Sequence, residues 1–154
     1  MEPIRYSESI DVAATPAALY DLVSDIGRTG EWSPICKGCR WRDETERGEG
    51  AWFIGRNEAG GRTWETESQV AAAHRGREFA WLVGGAFARW AYSLTPISDG
   101  TRLTESWEFL PAGLTMFHEK YGPDAQAQID TRMEQARTGI PITLAAIKKI
   151  AESP

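Results

Sequence analysis

The stretch DAQAQIDTRMEQARTGIPITLAAIKKIA, residues 124–151, decides the fold. Its apolar residues recur three or four positions apart, which is the spacing of one helix face, and they predict a single long amphipathic helix. The stripe consists of Ile129, Met133, Ala136, Ile140, Leu144, Ile147 and Ala151. Pro141 lies inside the pattern and lacks an N–H, so we expect a kink near residues 137–141. A helix with one apolar stripe needs an apolar surface on which to lie.

The segment before this helix predicts that surface, because it consists of short strand-like runs joined by tight turns. Six strands are predicted, at residues 35–43, 51–58, 62–73, 77–84, 88–97 and 101–110. Glycines separate the runs, and Asp99-Gly100 is a strong hairpin signal. Six consecutive strands with hairpin-length connections favour an antiparallel meander. Residues 112–122, between the meander and the terminal helix, are predicted to form a loop with several apolar side chains.

The N-terminal part adds one more strand and two short helical segments. IRYSESIDVA, residues 4–13, alternates apolar and polar residues and predicts a strand. Thr15 suits a helix N-cap and Pro16 the first helical position, and a short turn or second helix then extends to Trp32. This order predicts an α+β fold in which a bent, seven-stranded antiparallel sheet grips the terminal helix. A chain of 154 residues is expected to form one domain, residues 1–154.

Charge and hydropathy exclude several classes of partner. The formal net charge of −5 argues against nucleic-acid binding, which needs a dense basic surface. No apolar run approaches the ~20 residues that a membrane helix requires, so we expect no membrane insertion. The first residues lack the basic-then-apolar pattern of a signal peptide, and we therefore expect a cytoplasmic protein. Homodimer formation is left open.

Both cysteines lie in WSPICKGCRW, residues 32–41, with the C-x-x-C spacing of many redox and metal sites. On a regular strand, side chains three residues apart point to opposite faces, so Cys36 and Cys39 are predicted to share neither a metal nor a disulfide. A thioredoxin-like site would also need a helix directly after the first cysteine. Zinc would need two more ligands, and the only histidines are His74 and His118. We expect structural thiols, no metal and no cofactor.

The predicted sheet carries an unusual number of large rings, since the chain has seven tryptophans. Alternation along the strands places one set of rings on the face that meets the terminal helix. This set consists of Trp64, Phe79, Trp81, Trp90, Tyr92 and Trp107. Because the rings lie opposite the small residues Ala136 and Gly139, we expect incomplete filling and a cavity for a small ligand. A solid aromatic core is the alternative. The strand at 51–58 is apolar on both faces, and its orientation stays open.

Two carboxylates are predicted to lie on the same inner face. Glu105 falls between Leu103 and Trp107, and Glu8 falls beside Tyr6. Burial of an unpaired carboxylate costs free energy and raises its pKa. Each glutamate is therefore expected to be paired, hydrogen-bonded or in contact with a wet pocket.

Several short stretches along nearly the whole chain carry a family resemblance. They are IDVAATP (10–16), EWSP (31–34), FIGRN (53–57), WET (64–66), REFAW (77–81), TESW (104–107) and TL with IK (143–144, 147–148). In this order they resemble the START and pollen-allergen-like helix-grip superfamily (SRPBCC), within it the bacterial polyketide cyclase/dehydrase-like branch. The resemblance implies a seven-stranded sheet, a β-α-α-β6-α order and a hydrophobic tunnel. It also implies binding of lipids, steroids or aromatic polyketides, with cyclisation or dehydration of poly-β-ketone chains in some members.

Three functions are compatible with these observations. The first is binding of a small hydrophobic, aromatic or lipid-like molecule, with Glu105 and Tyr92 holding its polar end. The expected ligand contacts are Trp32, Phe53, Trp64, Phe79, Trp81, Trp90, Tyr92, Trp107, Met116, Phe117, Met133, Ile140 and Leu144. The second is a cyclase or dehydratase in which Glu105 is the base and Tyr92 or His118 the proton donor. The third is a protein-interaction module with a filled core and an exposed apolar patch.

Overall fold

The computed structural model describes residues 3–154. Met1 and Glu2, which open the segment in which no signal peptide is expected, lie outside the described residues. Strands β1 to β7 are Ile4–Val12, Cys36–Trp41, Trp52–Ala59, Arg62–His74, Glu78–Val83, Ala88–Ile97 and Gly100–Phe109. Helices α1, α2 and α3 are Pro16–Val23, Pro111–Tyr121 and Ala125–Glu152. Short 3-10 helices occupy Ile26–Glu31 and Gly122–Asp124.

All seven strands form one antiparallel sheet in the order β1-β7-β6-β5-β4-β3-β2. Strands β2 to β7 follow the chain as a meander, and β1 pairs with β7 at the other edge. Gly60 and Gly61 connect β3 to β4 with φ angles of 58° and 77°. Two consecutive positive φ angles are the requirement of a type I′ hairpin turn, which glycine meets without steric cost. The predicted α+β helix-grip architecture is confirmed.

Helix α3 packs its apolar stripe against one face of this sheet. Ile140, Leu144 and Ile147 of the stripe are buried and share a core cluster with Leu103 and Trp107 of β7. Helix α3 contains 28 residues and continues through Pro141. The sequence pattern of the terminal helix is thus confirmed, while the kink at Pro141 stays a prediction. Among residues 3–154, no helix is both long and apolar enough to cross a bilayer.

The prediction of a loop at 112–122 is wrong, because residues 111–121 form α2. Pro111 starts the helix at its first position, where a missing N–H is tolerated. Gly113 lets the helix approach the β5–β6 connection closely, since a Cβ there would lie 2.2 Å from the Phe87 carbonyl oxygen. Phe117 is buried in the core. Tertiary packing therefore stabilises a helix that its glycine and threonine made hard to recognise.

The prediction that the two thiols face apart is also wrong. Cys36 pairs with Asn57 and Cys39 with Gly55, but the register shifts between Cys36 and Gly38, so that Lys37 is an extra residue in β2. Such a β-bulge reverses the alternation for the residues that follow. Since Asn57 and Gly55 are two residues apart on β3, their partners lie on the same face. The two sulfur atoms are 3.4 Å apart.

Candidate functional site

A cavity of about 620 Å³ lies between the inner face of the sheet and the helices. Strands β2 to β7 form one wall, and α2, α3 and the 3-10 helix at Ile26–Glu31 contribute to the others. Helix α3 presents Ala136 and Gly139 to this space. These two residues fill little volume, and the space opposite the large rings of the sheet is therefore left open.

Most of the residues predicted from the sequence to contact a ligand line this cavity. They are Phe53, Trp64, Phe79, Trp81, Trp90, Tyr92, Trp107, Met116, Phe117 and Ile140, together with the predicted acid Glu105. Four predicted residues lie elsewhere. Trp32 and Leu144 are buried in the core, Met133 packs against it, and His118 is exposed on α2. Its exposed position makes His118 a poor proton donor for a molecule inside the cavity.

The aromatic wall is a continuous chain of ring contacts. Trp81 and Trp90 are stacked, with ring centroids 6.4 Å apart and an interplanar angle of 13°. Trp90 contacts Trp107 at 6.4 Å, and Trp107 meets Phe109 edge to face at 5.7 Å. Phe109 in turn meets Phe117 of α2 at 4.9 Å. Such contacts hold the rings in place, so the cavity has a rigid, largely apolar surface.

Two buried polar atoms near this wall have no hydrogen-bond partner. Among side-chain atoms of residues 3–154, they are Glu105 Oε1 and Trp32 Nε1. Glu105 is only 4% exposed and lies directly opposite Tyr92 in the β6–β7 ladder. Glu8, its neighbour on β1, does have a hydrogen-bond partner, because its Oε2 accepts a hydrogen bond of 2.6 Å from the Tyr6 hydroxyl. Unpartnered buried polar atoms are costly and need an explanation.

Burial has the largest effect on the pKa values of Glu105 and Tyr92. It raises the pKa of Glu105 to about 8, and the Tyr92 hydroxyl offsets only part of the effect. Burial, and next the nearby Glu105, hold the pKa of Tyr92 well above its usual value. At neutral pH the glutamic acid and the phenol are therefore largely protonated. Both can donate a hydrogen bond to an acceptor atom in the cavity.

Two cations line the cavity where α2 and α3 meet, Lys120 and Arg132. Neither forms a salt bridge with a carboxylate of the described residues. Partial burial lowers the pKa of Arg132, and the charge of Arg62 lowers it further, whereas Tyr121 opposes the shift. The Arg132 guanidinium lies over the Phe117 ring at 5.4 Å. This end of the cavity is thus basic in a chain of net charge −5.

Sequence reasoning did not place several polar residues in the cavity, although all of them line it: Lys120, Arg132, Cys36, Cys39, and the polar pair of Asn57 and Thr66. The Asn57 amide donates to the Thr66 hydroxyl over 3.2 Å. Asn57 could have been found by extending the alternation from Phe53, because both are buried on the same face of β3. The part of the chain from residue 3 onward holds no group of three or more His, Cys, Asp or Glu side chains arranged for a metal ion.

The family of the chain follows from comparison with known proteins. Residues 3–134 match the model of the family described as polyketide cyclase/dehydrase and lipid transport. The chain belongs to this family. No curated protein matches the chain.

Solved structures agree with this membership. The polyketide-cyclase-like protein Cgl2372 from Corynebacterium glutamicum is 48% identical, with a TM-score of 0.72 over 98% of this chain and 93% of that protein. The di-domain aromatase/cyclase StfQ of the steffimycin pathway has a TM-score of 0.72 at 13% identity, and the match covers 97% of this chain and 51% of StfQ. Ara h 8.0201 has a TM-score of 0.65 at 17% identity, over 97% and 98%. The last two share the fold, and the resemblance inferred from the sequence is confirmed.

Proposed function

We propose that this polyketide cyclase/dehydrase-family protein binds a small, largely apolar molecule with at least one aromatic ring. The observation that carries the proposal is the cavity of about 620 Å³, which is walled by rings and lined by Glu105, a buried carboxyl with an unpartnered oxygen. Small-molecule sites in proteins usually have a volume of roughly 300–1,000 Å³, apolar walls and few polar groups. The family description and the di-domain aromatase/cyclase neighbour agree with a ligand of this class, which is called the guest below.

The polar atoms indicate which functional group of the guest lies deepest. Protonated Glu105 and the Tyr92 hydroxyl donate hydrogen bonds, so a carbonyl oxygen or a phenol oxygen suits this position. At the α2–α3 end, Lys120 and Arg132 favour an anionic substituent. The guest is therefore expected to combine an aromatic body, a buried oxygen acceptor and an acidic group near the surface.

A matched pair of fluorescent probes tests this proposal. 8-Anilinonaphthalene-1-sulfonate and neutral N-phenyl-1-naphthylamine share their rings and differ in the sulfonate. We expect both to bind and to raise Tm, because a ligand that binds only the folded state stabilises it. The sulfonate should bind more tightly, and Arg132→Gln should weaken it by about two- to fivefold, the scale of a partly exposed ion pair. Binding of the neutral probe should not change.

The position of the bound probe is tested by filling the cavity. Ala136→Trp places an indole in the space, whereas Ile142→Trp places the same group on the exposed face of α3. The first variant should lose probe binding and the second should retain it. Circular dichroism checks that both variants fold, and Ala136→Leu replaces the first if it does not. Equal binding by the cavity-filling and surface variants would place the probe elsewhere and contradict the proposal.

A second candidate function is a cyclase or dehydratase, which the buried Glu105 favours. A carboxyl with a pKa of about 8 is close to the value that suits a general acid or base at neutral pH. In such an enzyme, Glu105→Gln would abolish turnover of a poly-β-ketone while the two probes still bind. Turnover that survives this substitution would remove Glu105 from the mechanism.

An interaction module is the least favoured candidate. The only large hydrophobic side chain that is markedly exposed among residues 3–154 is Ile142, at 55%. One isolated isoleucine is too small to form the apolar patch that a docking surface needs.

A further inference from the structure

The wall of the cavity at β2 and β3 holds a pair of thiols that ligand binding does not explain. Cys36 and Cys39 both line the cavity, both are free, and their sulfur atoms are 3.4 Å apart. Gly55 lies beside the pair, because a Cβ at that position would be in van der Waals contact with both sulfurs, at 3.5 Å and 3.6 Å. The bulge at Lys37 brings the two thiols to one place.

The two thiols differ in their ease of deprotonation. A hydrogen bond from Cys39 is the largest effect that lowers the pKa of Cys36 to about 7, and backbone groups of Gly38 and Arg56 add to it against the cost of burial. The same hydrogen bond and burial raise the pKa of Cys39. One thiol is thus available as a thiolate near neutral pH, and the other keeps its proton until its partner has reacted. Thiol–disulfide exchange needs such a nucleophile and such a resolving thiol.

We propose that Cys36 and Cys39 are a redox-active dithiol in the cavity wall, which a small disulfide of the glutathione type converts to an intramolecular disulfide. The Cys36 thiolate attacks one sulfur of the small disulfide, whose S–S bond breaks and releases one small thiolate. Cys39 then loses its proton, and its sulfur attacks the Cys36 sulfur and expels the second small thiolate. Two protein thiols are oxidised, and one small disulfide is reduced to two thiols.

The local structure permits the bond to close. An S–S bond of about 2.05 Å requires the sulfurs to approach by roughly 1.4 Å from their present separation. Among the strands formed by residues 3–154, β2 lies at the edge of the sheet and pairs only with β3. A shift of its bulge therefore breaks no ladder with a second neighbour. A Cβ at Gly38 would meet no described atom within 4 Å, so there is free space on this side of the bulge, whereas the Lys37 carbonyl packs closely against Gly30 on its other side. This dithiol chemistry does not depend on the proposed guest.

The test follows the intact mass of the reduced, folded protein during incubation with oxidised glutathione at neutral pH. The wild type should lose two hydrogen atoms without retaining glutathione, and dithiothreitol should reverse the change. Cys39→Ser should accumulate one glutathione on Cys36, because the resolving thiol is missing. Cys36→Ser should react more slowly than the wild type, since burial still raises the pKa of the remaining thiol after the hydrogen bond and charge of Cys36 are removed. Circular dichroism and Tm of both variants check that they fold as the wild type does.

A bridging reagent gives a second measurement that needs only the wild type. Phenylarsine oxide binds two thiols that lie close together, and we expect one arsenic per folded chain and none retained by either serine variant. The proposal is wrong if the folded wild type keeps glutathione on both cysteines, or reacts only after unfolding in urea. It is also wrong if Cys36→Ser reacts as fast as the wild type, or if the folded wild type retains no arsenic.

Discussion

Between pH 4.5 and pH 8 the folded protein is expected to lose several kcal/mol of stability, and the Glu105→Gln variant is expected to lose far less. The folded-state pKa of Glu105 is raised from 4.5 to about 8, mainly by burial. Below pH 4.5 the carboxyl is protonated in both states. As the pH rises, the unfolded chain releases this proton first, so unfolding becomes easier until the folded carboxyl also ionises. A shift of this size corresponds to at most about 5 kcal/mol.

The measurement is urea unfolding, followed by circular dichroism, across this pH range for both proteins. Glutamine has the shape of a glutamic acid and does not ionise, so the difference between variant and wild type isolates the carboxyl. This difference also cancels the contribution of Cys36, whose lowered pKa adds stability in the opposite direction above about pH 7. Glu108→Gln, on the other face of β7, is the matched control and should keep the wild-type slope. A wild type without such a slope would show that Glu105 is solvated in the native state.

Shortening Ile147 to alanine should destabilise the protein by about 2–5 kcal/mol, the cost of removing a fully buried isoleucine side chain. Ile147 is 0% exposed and lies in the cluster that joins α3 to the sheet. The loss includes the transfer of the removed groups and the cavity that they leave. For a domain of this size, each kcal/mol lowers Tm by about 2–4 °C.

The same helix provides the matched control. Ile142 is 55% exposed on α3, and Ile142→Ala should change the stability by no more than about 0.5 kcal/mol. Calorimetry of the two variants compares identical chemical changes on opposite faces of one helix. Similar losses of Tm for both would mean that α3 is rotated relative to the sheet, and the assignment of Ala136 and Gly139 to the cavity would then also be wrong.

Hydrophobic periodicity was a reliable guide where secondary structure was regular. Alternation along residues 101–110 placed Leu103, Glu105 and Trp107 on the inner face, and the structure buries all three. The stripe of the terminal helix was recognised in the same way. Periodicity was not a guide for α2, whose stability depends on packing of Gly113 and Phe117 against distant residues. Nor could it indicate which buried residues border a cavity, since Trp32 and Phe53 are equally apolar positions in sequence.

The seven strands, the terminal helix and the inward faces of these regular elements were determined by the sequence alone, because each depends on spacing between near neighbours in the chain. The superfamily was indicated by the resemblance of short stretches along the chain. Tertiary structure decided where the polar atoms and the thiols lie relative to one another. The bulge at Lys37 brings Cys36 and Cys39 together, and this bulge is defined only by the pairing of β2 with β3. The Glu105 pKa likewise depends on burial by residues from several elements. Such features depend on atoms that are distant in sequence and close in space.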